Sequence, residues 1–178
     1  MASFISAGHY NKDSGAVGCG TQENLETIKF RDLVVQFAKQ LGVKVITDSD
    51  NENLSEYLKR IQTGSGSVVI EFHFDAANGL ATGTTAIVGS DADRLDKAFA
   101  KEIVDTTAKI LSIKNRGVIS ETESHRGRLG LMREEGIVCL LEICFIDNQN
   151  DMNAYNKNKR TLALEIAMII NKYDAIVL

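Results

Sequence analysis

Short apolar runs alternate along this chain with longer segments of helical periodicity, and the alternation sets out the elements. Ala2-Ser3-Phe4-Ile5 predicts a buried strand, followed by a loop rich in Gly, Asn, Asp and Ser. Cys19 to Asn24 reads as polar loop. Ile28, Phe30, Val34, Phe37, Ala38 and Leu41 keep the 3.6-residue period and predict a helix from about Glu23 to Leu41, closed by Gly42. Val43–Thr47 reads as a second strand, and Leu54–Ile61 as a helix with Asn51 or Asn53 at its N-cap. Val68–Phe74 and Thr82–Val88 are further strands, and a helix follows from about Ala92 to Leu111, capped from Ser90-Asp91. Lys114–Gly136 breaks the rhythm: it is long, polar and glycine-punctuated, with a short strand or turn at Leu129–Met132. Ile137–Phe145 is a strongly apolar strand, Asp151–Asn156 is helical, and Thr161–Tyr173 closes the chain as an amphipathic helix. Strands alternating with helices predict an α/β fold. It is expected to be a single domain over residues 1–178, with a mostly parallel twisted sheet of about five or six strands and helices on both faces.

Composition narrows the classes of function. The 178 residues are 44% hydrophobic and 25% charged, which is globular usage. A net charge of −4 gives no general pull toward nucleic acid or an anionic membrane. No apolar run approaches the roughly 20 residues of a membrane span. The start of the chain has no basic segment leading into a long apolar one, so no signal peptide is read. Cys19, Cys139 and Cys144 have no metal-type spacing, and the last two sit in an apolar run as buried thiols. The Thr63–Ser67 turn lacks the Lys-Ser/Thr ending of a phosphate-binding loop and reads as a connector. Oligomeric state is not legible.

The candidate chemistry gathers at strand ends. His9 follows the first strand and His73 ends the third, and two imidazoles from neighbouring strand ends can converge on one ion. A catalytic zinc typically takes three protein ligands, so a carboxylate is expected beside them. Glu23 and Glu26, opening the first long helix, are the candidates; helix-dipole complementation is their ordinary alternative. Glu142 is the one acid in an almost uniformly apolar strand. It reads either as a general base or acid beside a metal-bound water, or as one half of an ion pair with an arginine of the preceding loop. Glu71 shares a strand face with His73 and reads as a supporting acid. His125, in the long polar segment, reads as exposed.

Three stretches carry a resemblance. Gly8-His9 through Lys12-Asp13-Ser14-Gly15-Ala16-Val17-Gly18 is similar to the opening G-H-x-x-x-D-x-G-A-x-G motif of zinc-dependent N-acetylmuramoyl-L-alanine amidases of the type-3 family, which includes autolysins and phage endolysins. Ile70–Ala76 resembles the family's S-I-H-x-N-A strand end, and Leu140–Asn148 its L-V-E-x-G-F-x-S-N segment. The order is the family's order, and the resemblance runs from Phe4 to the last helix. It implies peptidoglycan as substrate, one Zn²⁺ as cofactor, His9 and His73 as ligands, and Glu142 as the catalytic glutamate. The family's glutamate ligand opens the first long helix; the usual helix length favours Glu23 over Glu26. Asp75 stands for the family's asparagine, Glu71 for its usual serine, Cys144 for a glycine and Asp147 for a serine. Asp75, Asn78 and Arg128 are the expected substrate contacts. No separate wall-binding domain is recognised. The alternatives are a zinc peptidase or deacylase on another amide and a non-catalytic binding module. Without a signal peptide, the expected route to the wall is release by lysis, or export by a route the sequence does not show.

Overall fold

The computed structural model describes residues 2–176 of the chain. In chain order the elements are β1 (Ser3–Ala7), β2 (Val17–Gly18), β3 (Thr21–Gln22), α1 (Glu23–Gln40), β4 (Val45–Thr47), α2 (Leu54–Arg60), β5 (Val68–Asp75), β6 (Thr84–Val88), α3 (Arg94–Leu111), β7 (Asn115–Ser120), a 3-10 turn (Gly130–Arg133), β8 (Ile137–Phe145) and α4 (Gln149–Ile176). Six strands form one sheet in the order β4-β1-β5-β8-β6-β7, and β2 and β3 form a separate two-stranded ribbon. β4, β1, β5 and β8 run parallel to one another. β6 runs antiparallel to β8 and parallel to β7, so the sheet is mixed at one side.

Local chemistry explains most of the boundaries. Asn53 and Glu56 form a capping box at the start of α2, each side chain bonding the other residue's backbone N–H. Asp93 and Asp96 do the same for α3, so the cap lies two to three residues beyond the Ser90-Asp91 expected from sequence. Gly42, at φ +89, turns the chain out of α1. Three expectations are corrected. β7 lies inside the segment read as loop, since an edge strand needs only one paired side and tolerates the polar run Asn115-Arg116-Gly117. The β2–β3 ribbon occupies part of the stretch read as loop, because two-residue strands leave no periodicity to read. The closing helix is continuous through Lys157–Arg160, whose exposed and half-buried residues form its outer face.

Strand alternation divides the core into two layers. α1, α3 and α4 cover one face with the larger cluster, in which Phe30, Phe72, Phe74, Phe99 and Tyr155 are buried. The other face carries a smaller cluster of Phe4, Tyr57, Val69, Leu131, Val138 and Leu140 under α2 and the 3-10 turn. On this thinner face the same alternation continues toward the strand ends as Ser6 on β1, Glu71 and His73 on β5, and Glu142 on β8. The face therefore changes from apolar packing to polar chemistry within one strand length.

A buried ion-pair group ties α1 to the carboxyl ends of β1 and β4. Arg31, 3% exposed, places Nη1 2.9 Å from Asp48 Oδ1 and donates from Nη2 to Asp50 at 2.6 Å and to Asp32 at 2.8 Å. Asp48 also accepts from the Ala7 backbone N–H. Removing one partner of a buried pair strands the other charge. Arg31→Leu is therefore expected to lower unfolding free energy in urea by about 3–5 kcal/mol.

Candidate active site

A loop, a strand end and a helix start converge where β1 and β5 end. His9 lies two residues past β1, His73 is the sixth residue of β5, and Glu23 is the first residue of α1. One ligand atom from each of His9, Glu23 and His73 lies within 4.8 Å of the others. Glu23 is 2% exposed and takes four contacts on two oxygens. Oε1 lies 2.9 Å from His73 Nδ1 and accepts the Phe74 N–H; Oε2 lies 3.2 Å from His9 Nε2 and accepts the Ala16 N–H. Glu26 lies outside this corner, bonded to Thr21 and Lys29.

Each imidazole has a second carboxylate behind it. His9 Nδ1 faces Asp13 at 3.0 Å, and His73 Nε2 faces Glu71 at 2.9 Å. The result is a line of alternating groups, Asp13–His9–Glu23–His73–Glu71. Burial pushes the His73 imidazole down, but Glu23 and Glu71 outweigh it and hold its pKa at about 9. His9 is likewise raised: burial opposes its protonation and Glu23 more than restores it. Burial would raise the Glu23 carboxyl, and its bonds to His73 and His9 instead hold it far below the usual carboxylate range.

The donor set fits a divalent cation of the zinc type, which takes imidazole nitrogen and carboxylate oxygen. Two glycines let the backbone approach these side chains closely. A Cβ on Gly8 would lie 2.2 Å from the His73 ring, and one on Gly15, at φ +60, would lie 2.6 Å from both Glu23 Oε2 and His9 Cδ2. The two rings stand nearly perpendicular, with centroids 5.2 Å apart.

Glu142 is the register partner of His73 across β5 and β8 and is 2% exposed. Arg126 Nε donates to its Oε1 at 2.6 Å, and Arg126 Nη2 lies 3.9 Å from Glu23 Oε1. Glu142 Oε2 is buried with no hydrogen-bond partner among the described residues. Burial raises the Glu142 carboxyl above its ordinary value, with His73 and Arg126 opposing. Beside it opens a groove of about 470 Å³. Its walls are Asp75, Thr85 and Glu142 on the sheet, Lys114 and Arg116 at the β7 edge, and Glu123 to His125 on the following loop.

The residues read from sequence do not all meet. Asp75 ends β5 at the groove. Asn78 is exposed, and its side chain accepts the Leu80 and Ala81 N–H groups, stabilising its own turn. Arg128 is exposed, and the cation that reaches the site is Arg126, two residues earlier. His125 is exposed on the groove wall. Sequence reasoning expected an arginine of the preceding loop beside Glu142 without singling out Arg126, and assigned no task to Asp13 or Glu121. Asp13 stands in the opening motif four residues from His9; the other two carry no local signal, because their partners are brought in by the loop's path.

That path is set by Glu121, fully buried at the end of β7. It accepts the Leu129 N–H at 2.8 Å and the Ser90 N–H and hydroxyl at 3.3 Å, and pairs with the Arg133 guanidinium. The Thr122–Arg128 loop carrying Arg126 is thus pinned at its base.

Comparison with known proteins gives concordant results. The family model for N-acetylmuramoyl-L-alanine amidase matches residues 4–172. An uncharacterised protein of Clostridium perfringens is 28% identical over 185 residues, covering 98% of this chain and 52% of its own length. The chain thus spans about half the length of that curated relative. A Neisseria meningitidis crystal structure assigned as an N-acetylmuramoyl-L-alanine amidase is 26% identical, with a TM-score of 0.78 and coverage of 95% of this chain and 93% of that one. The catalytic domain of the CD27L endolysin, which targets Clostridium difficile, shares the fold at 21% identity and a TM-score of 0.75, with 96% of each chain covered.

Glu121 also generates a pH dependence. Burial would raise its carboxyl, but the Leu129 N–H, Arg133 and the Ser90 N–H pull it down to about 2. A depressed folded-state value means that the stabilisation is complete above the ordinary value near 4.5 and is lost as pH falls toward 2. Glu121→Gln should cost about 1.5–3 kcal/mol at pH 7. In urea melts the gap from the parent protein should close between pH 4.5 and 2.

Proposed function

The chain belongs to the N-acetylmuramoyl-L-alanine amidase family, and from that premise we propose that it hydrolyses peptidoglycan at the amide joining the lactyl group of N-acetylmuramic acid to L-alanine of the stem peptide. The observation that carries the reading is the convergence of His9, Glu23 and His73 on one corner, with Glu142 paired in register beside it.

His9, Glu23 and His73 would hold one Zn²⁺. An ion held there would supply Lewis-acid chemistry, a water pKa lowered toward ~7 and a polarised scissile carbonyl. Glu142 acts as the proton carrier. Its Oε1 is held by Arg126, which leaves Oε2, the oxygen with no partner, to take the proton of the attacking water. Burial raises the Glu142 carboxyl, which favours holding that proton until the amine departs and receives it. Arg126 fixes the carboxylate's rotation and balances its charge. The groove beside Glu142 offers Lys114 and Arg116 to carboxylates and Asp75 and Glu123 to amines, a mixed lining that suits a peptide bearing both.

Incubation with purified peptidoglycan tests the reading. The expected products are new L-alanine amino termini without new reducing sugar ends; new termini at another residue would point to a peptidase instead. Glu142→Gln should lower turnover at least ~100-fold, the range for loss of a general acid–base group, while retaining bound zinc. Chelation should abolish turnover, and added zinc should restore it.

A further inference from the structure

We infer that Glu71 is a positioning residue for His73: its carboxylate holds the ring hydrogen on Nε2 and thereby keeps Nδ1 turned toward Glu23 and His9. The inference rests on the reading of His9, Glu23 and His73 as a metal site.

The geometry is specific. Glu71 and His73 lie two residues apart on β5 and therefore on one face of the sheet. Glu71 Oε1 lies 2.9 Å from His73 Nε2, while His73 Nδ1 lies 2.9 Å from Glu23 Oε1. The second oxygen of Glu71 is held from the neighbouring strand, where Ser6 Oγ donates to Oε2 at 3.3 Å. Ser6 and Glu71 are register partners, so the hydroxyl is delivered by strand pairing. Both are 2% exposed. Among the described residues, His73 is the one cationic group within ion-pair distance of Glu71.

An ionised carboxylate only accepts, so the nitrogen facing it must carry hydrogen. Of the two nitrogens of His73, the one facing Glu71 points away from the corner. When Nδ1 gives its lone pair to an ion, the remaining hydrogen must sit on Nε2, and Glu71 stabilises that form. A side chain without an acceptor here would leave a buried N–H unpaired and the ring free to change tautomer. The family resemblance expects serine at this position, so the carboxylate is a feature of this chain.

Zinc affinity, measured by competition with a chromophoric chelator, tests the inference without reference to turnover. Glu71→Leu keeps the volume and removes the acceptor; Glu71→Gln keeps an acceptor oxygen. The Leu variant is expected to bind zinc about 10–100-fold more weakly than the parent, and the Gln variant within about threefold of it. Nitrogen-15 spectra of the zinc-loaded parent protein supply a second readout that needs no variant to fold. They should show His73 protonated on Nε2. A folded Leu variant binding zinc as tightly as the parent, or His73 protonated on Nδ1, would overturn the inference. A parent protein that binds no zinc would defeat the metal reading and this inference with it. A parent protein that binds zinc, with the Leu and Gln variants behaving as expected, but does not cleave peptidoglycan would count against the amidase reading alone.

Discussion

One buried carboxylate holds the ends of four chain segments in register. Glu23 meets His9 from the loop after β1, His73 and the Phe74 N–H from β5, and the Ala16 N–H from the ribbon's approach. A carboxylate this buried persists in ionised form only when its lone pairs are taken, and here four donors take them. Its place at the first turn of α1 adds the favourable end of the helix dipole. The contact is also long-range: residues near 9, 16, 23 and 73 are fixed together by it. Gly8 and Gly15 make such proximity sterically feasible.

The fold was legible wherever burial imposed a period. β5 and β8 are nearly unbroken apolar runs because both of their faces are covered, and α1 and α3 show their inner stripes plainly. Legibility failed where structure rests on few buried side chains. β7 pairs on one side only and leaves Asn115 and Arg116 exposed, so it has the composition of a loop. The direction of β6 was missed as well. A strand's own side chains do not say whether its partner runs parallel or antiparallel; the signal lay in the short, helix-free connection from Asp75 to Thr84, which is too short for a parallel crossover.

The site divides along the same line. His9, His73, Glu23 and Glu142 stand at the ends or in the middle of regular elements, where a polar residue interrupts a pattern and can be seen. Arg126 stands in a loop whose course depends on Glu121, a residue bonded to Ser90 and Leu129 across gaps that no local pattern encodes. The two sequence readings of Glu142, a working acid and the partner of a loop arginine, do not exclude each other, since one oxygen is paired and the other has no partner among the described residues. Arg128 and Asn78 share the right region with the site but not its direction: one faces solvent and the other serves its own turn.

The line from Asp13 to Glu71 has a consequence for how the corner tolerates the arrival of its cargo. With both imidazoles protonated, three carboxylates face two monovalent cations and one negative charge is left over. With both imidazoles neutral and one divalent cation among them, the remainder is the same single negative charge. Binding of such an ion would then be an isoelectric exchange, two hydrogen ions out for one metal ion in. The net charge presented to the surrounding scaffold would be the same in both states. Held as imidazolium–carboxylate pairs, the corner carries the same net charge that a bound divalent cation would leave it.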